Sequence, residues 1–219
     1  MLIQALDQPR RMPTEVDFVL LWSALFLLFF GMVMVYSASI AIAEAGRFTA
    51  HQPAYFLMRH AIFLTIGLVA AAAAFQVPLA AWQKAAPWLF FAGVVLLIVV
   101  LIPGIGKDVN GARRWLPLGV ANLQPSELMK LFAALYAADY TVRKMAVMHD
   151  LKKAFLPMFG AMAFVGVLLL KEPDFGAFVV ITSIAMGILF LGGMRARLFA
   201  ILIVLLLAAF AVLIIVSPY

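Results

Sequence analysis

Runs of about twenty apolar residues alternate with short polar connections along nearly the whole chain. A hydrocarbon core of about 30 Å is crossed by roughly 20 residues of helix, so each run is long enough to span a membrane. The pattern predicts seven helices, over residues 17–40, 54–77, 83–102, 123–141, 154–170, 175–191 and 198–216. The third is the tightest, because its unbroken apolar stretch, 88–102, is short and the helix must take in Gln83 to Pro87. The expected fold class is all-α: a polytopic integral membrane helical bundle forming a single domain over 1–219, with a short polar tail at 1–16.

Composition agrees. Hydrophobic residues make up 67% of the chain, charged ones only 12%, and the mean hydropathy is +1.11, outside the range of soluble globular domains. The polar start followed by a full-length apolar run reads as a retained anchor, not a cleaved signal. Without cysteine, no disulfide framework or thiolate metal site is available. His51, His60 and His149 are scattered. No metal-ligand cluster is evident, so the cofactor is unassigned, with a divalent cation left open.

Charge sets the expected orientation. With the N-terminus in the cytoplasm, nine cations fall in inner loops and six in outer ones, the bias expected of a membrane protein. The C-terminus then lies on the outer face. The net charge of +6 is divided between two sides of a membrane. It implies anionic lipid headgroups as partners, not nucleic acid.

Two polar knots depart from this simple plan. Residues 110–130 place Arg113, Arg114, Glu127 and Lys130 around a Gln124-Pro125-Ser126 turn between apolar segments. Charge at the centre of a span costs roughly 2.5–3.5 kcal/mol or more, so such residues face protein or a wet cavity and mark candidate sites. Arg113 and Arg114 precede Trp115, an aromatic suited to headgroup depth, so their guanidinium donors sit where a lipid phosphate would lie. Ordinary interfacial anchoring is the plainer explanation. Pro125 suits a first helical turn, Gln124 or Ser126 can satisfy its open amides, and Glu127 sits at the positive end of the helix dipole. Lys130 follows Glu127 at i+3, on the same face, and is expected to pair with it and line a cavity. The second knot is Lys171-Glu172-Pro173-Asp174-Phe175-Gly176, a tight turn expected on the same outer side; taken alone it reads as a charged re-entry turn. Asp139 and Arg143, four apart, read as an interfacial ion pair.

Four motifs occur in order: Met34-Val35-Tyr36-Ser37-Ala38-Ser39, Asn110-Gly111-Ala112-Arg113-Arg114-Trp115, Gln124-Pro125-Ser126-Glu127 with Lys130, and Glu172-Pro173-Asp174-Phe175-Gly176. Together they resemble the SEDS family (shape, elongation, division and sporulation) over essentially the whole chain, and Tyr140-Thr141-Val142-Arg143-Lys144 with Leu189-Phe190-Leu191-Gly192-Gly193 resembles its division branch more than its elongation branch. The resemblance implies a peptidoglycan glycosyltransferase of the bacterial inner membrane that polymerises lipid II, an undecaprenyl-pyrophosphate-linked disaccharide-peptide, at the division septum. It further implies a class B penicillin-binding transpeptidase and other division membrane proteins as partners. Arg113, Arg114, Gln124, Ser126, Glu127, Lys130, Glu172 and Asp174 are the expected substrate-binding residues. Within that set Arg114 and Lys130 are assigned to the pyrophosphate, and Glu127 to orienting Lys130.

The chain departs from the family pattern in two ways. Asn122 stands where many members carry an arginine two residues before the Gln-Pro motif. The family's catalytic aspartate belongs to a large outer loop after the seventh helix, whereas this sequence stops at Tyr219. No catalytic residue is therefore assigned, and the chain is expected to be an inactive N-terminal part of the enzyme. A lipid II flippase or a scaffold for division proteins remains the alternative class.

Overall fold

A computed structural model describes residues 17–109, 111–119, 122–148, 150–197, 199–200 and 203–204. The predicted tail, 1–16, and most of the seventh apolar run lie outside these residues. The described chain is mostly helical and divides into two compact units, 1–81 and 82–219. Helices α1 (Phe18–Ala45), α2 (Tyr55–Gln76) and α3 (Leu79–Leu101), and the stretch Lys152–Lys171, are long and apolar enough to cross a membrane.

The first unit contains α1 and α2. Asp17 starts α1 by accepting from the Val19 and Leu20 amides, both at 3.0 Å, which satisfies two of the open N–H groups at the helix end. Both helices expose large apolar side chains nearly all round, as lipid-facing helices do. In the connection after α1, Thr49 donates its hydroxyl to the Ala43 and Gly46 carbonyls, which closes the turn.

The second unit holds the core and adds α4 (Pro125–Lys144), α5 (Leu156–Lys171) and α6 (Phe175–Leu191). Helix α3 begins four residues earlier than the sequence pattern predicts and keeps Pro87 in its interior. The helix therefore gains length at its N-terminal end while forgoing one backbone hydrogen bond. Helix α4 packs mainly on α6 through small residues. Ala133 and Ala137 on one helix, and Ala177 and Ala185 on the other, are buried and let the backbones approach. Where α5 meets α6, Gly166 gives way to a ring: a methyl there would lie 2.6 Å from Phe178 Cε2. Leu97, Met129, Met158, Leu169 and Leu189 fill the remaining space.

One element departs from the all-α expectation. Between α3 and α4 the chain forms a three-stranded antiparallel sheet of β1 (Lys107–Val109), β2 (Ala112–Pro117) and β3 (Asn122–Leu123), in the order β1-β2-β3. Val109 pairs with Ala112, and Gly111, just before Ala112, takes φ +77°. Asn-Gly is the sequence signal for a tight hairpin turn, since it tolerates positive φ. Asn110-Gly111 carries that signal, masked by the density of charge around it.

At the other end of α4, a short turn (Met145–Val147) leads towards α5, and a π-helical turn at Leu151–Phe155 enters it. Tyr140 donates its hydroxyl to the Ala154 carbonyl at 2.7 Å, joining α4 to that entry. Asp139 and Arg143 pair at 2.7 Å as their spacing predicts, with Asp139 buried and the arginine reaching outward.

Candidate functional site

The site is built where β2, the start of α4 and the α5–α6 turn meet. Successive side chains of a strand point to opposite faces, so β2 separates its two arginines. Arg113 faces β1, whose Asp108 is its partner in strand register, and their side chains approach to 3.8 Å. Arg114 turns the other way. Its Nε donates to the Glu172 carbonyl at 3.0 Å and its Nη2 donates to the Pro173 carbonyl. The planar fork suits two adjacent acceptors, and the rest of its N–H groups have no partner among the described residues. The structure therefore separates two residues that the sequence grouped together.

The start of α4 faces the same turn. Gln124 and Ser126 were expected to cap α4, but neither side chain bonds that helix's own amides. They reach across to Asp174 instead. Ser126 Oγ donates to Asp174 Oδ2 at 2.9 Å, and Gln124 Nε2 donates to the same oxygen at 3.2 Å and to Ser126 Oγ at 3.0 Å. Asp174 Oδ1 accepts from the Ala177 amide at 3.1 Å, capping α6. Ser126 is 0% exposed and Asp174 8%. An acid at a helix start with three donors is well placed, because the dipole and the hydrogen bonds both favour its charge.

Glu172, two residues earlier, contrasts with it. Its backbone is held by Leu168 and Leu169 through its amide and by Arg114 through its carbonyl. Its side chain is 0% exposed, and neither carboxyl oxygen has a hydrogen-bond partner among the described residues. Burial above all, and then the charge of Asp174, push this carboxyl up from the usual carboxylate range to about 8, against the opposing pull of Arg114.

Glu127 and Lys130 lie one turn into α4. Lys130 Nζ donates to Glu127 Oε1 at 2.7 Å, the pairing their i, i+3 spacing predicts. The lysine side chain is 29% exposed and the glutamate 59%, so this pair is open while the Ser126–Asp174 group is closed. Of the eight residues singled out in the sequence, Arg114, Gln124, Ser126, Glu172 and Asp174 form one connected group. Glu127 and Lys130 form an exposed pair beside it on α4, and Arg113 belongs to the far face of the sheet. Sequence reasoning missed the backbone carbonyls of Glu172 and Pro173 as acceptors for Arg114, and Asp108 as the partner of Arg113. Among the described residues no group of acids or histidines is arranged to hold a metal ion.

Comparison with known proteins gives a consistent picture. The family model described as "Cell cycle protein", FtsW/RodA/SpoVE, matches residues 18–219. A protein of Aromatoleum aromaticum named "Probable peptidoglycan glycosyltransferase FtsW" is 59% identical over 99% of this chain and 53% of its own length. One of the same name from Burkholderia thailandensis is 51% identical over 94% of this chain and 44% of its own. The chain thus spans about half the length of the curated relatives it matches. Among solved structures, the rod shape determining protein RodA of Thermus thermophilus superposes with a TM-score of 0.61 at 26% identity, covering 82% of this chain and 58% of that one. A chain from a structure of a peptidoglycan synthase complex, concerned with coordination of polymerization and crosslinking, gives a TM-score of 0.62 at 28% identity, over 87% and 56%.

Proposed function

The chain belongs to the FtsW/RodA/SpoVE family of cell cycle proteins, and on that premise we propose that it is part of a peptidoglycan glycosyltransferase that polymerises lipid II during septal wall synthesis. The full molecule sits in the bacterial inner membrane. This part of it contributes about seven spans, with the N-terminus in the cytoplasm and the α4 start facing outward. A class B penicillin-binding transpeptidase and other division membrane proteins are its partners in the septum.

The observation that carries the reading is the open Lys130–Glu127 pair in the first turns of α4, beside a helix start tied down by Asp174. A glycosyl transfer from lipid II breaks the bond between the sugar and its pyrophosphate, so negative charge accumulates on the leaving phosphate. Fixed donors aimed at that charge lower the barrier because they need not reorganise as it develops. Lys130 supplies a cation at a helix N-terminus, a place that favours anions, and Glu127 orients it. Arg114 adds its free N–H groups while holding the α5–α6 turn. Gln124, Ser126, Glu172 and Asp174 shape the wall behind these cations, and Arg113, paired across the sheet, meets lipid headgroups. The group that activates the attacking sugar hydroxyl is not assigned within this chain.

The test is lipid II polymerisation by the full-length enzyme in vesicles carrying Lys130→Ala or Arg114→Ala. Both variants should lose glycan synthesis, Lys130→Ala without loss of thermal stability. Full activity of both would overturn the assignment, and movement of lipid II across the bilayer without polymer would point to a transporter.

A further inference from the structure

The two acids of the α5–α6 turn stand in opposite environments. The Asp174 carboxylate accepts three hydrogen bonds, whereas the Glu172 carboxyl accepts none among the described residues and is wholly enclosed. A buried carboxylate without donors or a paired cation is costly, and the ordinary resolution is to keep the proton. Neighbouring acids driven apart in this way divide the roles of anion and proton holder between them.

The surroundings of Glu172 offer little to stabilise a charge there. From β2, Arg114 directs Nε and Nη2 to the backbone carbonyls of the turn, and none of its donors reaches the Glu172 carboxyl. From the turn itself, Asp174 repels a second negative charge. On α4, Lys130 is bonded to Glu127, while Asp139 and Arg143 pair near the opposite end of the helix. Helix α5 brings only the exposed Lys171, and α6 carries no charged residue.

The consequence reaches the whole polar layer. At this end of the 82–219 unit the cations are Lys107, Arg113, Arg114, Lys130 and Lys171, and the acids are Asp108, Glu127, Glu172 and Asp174. With every acid ionised, the layer has one positive charge in excess. A proton on Glu172 doubles that excess.

We propose that Glu172 is a positioning residue that works as a neutral carboxylic acid, leaving Asp174 as the single anion of the turn and keeping the layer cationic towards a phosphate ligand. This rests on the reading that the layer receives the lipid II pyrophosphate. The carboxyl displaced to about 8 agrees with the geometry. The sign follows from linkage: a folded-state pKa raised above the unfolded value contributes stability that is fully present below the ordinary carboxylate range and is lost as pH rises through about 8.

The experiment is an infrared titration of the full-length protein in lipid vesicles, made with isotope-labelled glutamate so that glutamic acid carbonyl bands are identified in the native chain. The expected result is a protonated-acid band at neutral pH that disappears around pH 8 and is missing from Glu172→Gln. The thermal midpoint of the native protein should fall between about pH 6 and about pH 9, and that of Glu172→Gln should stay level over this range. Absence of a protonated glutamic acid at neutral pH would overturn the proposal even if the Glu172→Gln variant fails to fold, since the native protein alone decides it. A band that survives Glu172→Gln would overturn it equally. The band present in a protein that binds no lipid II at all would uphold the proton on Glu172 and sink the pyrophosphate reading beneath it.

Discussion

Replacing Ser126 by alanine tests the Ser126–Asp174 contact most directly. The hydroxyl is fully buried, lies 2.9 Å from Asp174 Oδ2 and joins residues 48 positions apart in sequence. Hydrogen bonds to charged groups contribute about 1.5–3 kcal/mol, so Ser126→Ala should destabilise by about that amount, a shift of roughly ten- to a hundredfold in the unfolding equilibrium. Asp174→Ala removes the bonds from Ser126 and Gln124 and also the α6 cap, itself worth about 1 kcal/mol. Since the Gln124 contact is longer, at 3.2 Å, a total of about 3 to 5 kcal/mol is expected. The two variants share one bond, so the double mutant should fall short of the sum by about the worth of that bond, about 1.5–3 kcal/mol. Equilibrium unfolding of the full-length protein in detergent, run on all four members of the cycle, measures that shortfall. Additivity within about 0.5 kcal/mol would refute the claim that this contact couples α4 to α6.

Two further predictions concern packing. Gly166→Ala would place a methyl 2.6 Å from Phe178 Cε2 and 2.9 Å from Cδ2. A ring cannot yield as a flexible chain end does, so the thermal midpoint should fall by an amount corresponding to about 1–3 kcal/mol. Tyr140→Phe removes the bond to the Ala154 carbonyl and should cost about 0.5–1.5 kcal/mol in the same unfolding measurement. An unchanged midpoint would mean that this carbonyl finds another donor.

The helices were legible because span-length apolar runs need only local information. Observed α1 to α6 each overlap one predicted run, and the pairs at Glu127–Lys130 and Asp139–Arg143 follow from spacing along one helix. What escaped was non-local. Gln124 and Ser126 have the side chains of helix caps, and nothing in the local sequence announces that an acid 48 to 50 residues later is their partner. The sheet escaped for a different reason. In β2 a charged residue faces each side, so the strand shows no apolar–polar alternation, and only Asn110-Gly111 marked the hairpin. The motif resemblance brought Arg114, Ser126 and Asp174 into one candidate set, but it did not reveal that they are tied across the α5–α6 turn while the Lys130–Glu127 pair stays open.

Inside a bilayer, slipping one apolar helix along another exposes no new apolar surface to water, so greasy contacts alone set depth poorly. Helix α4 is fixed at two heights, to α6 through Ser126 and to the entry of α5 through Tyr140, roughly 21 Å apart along its axis. These three helices are thereby denied the freedom to slide past each other. A displacement imposed on one of them is therefore passed to the other two, and the three answer it as one block.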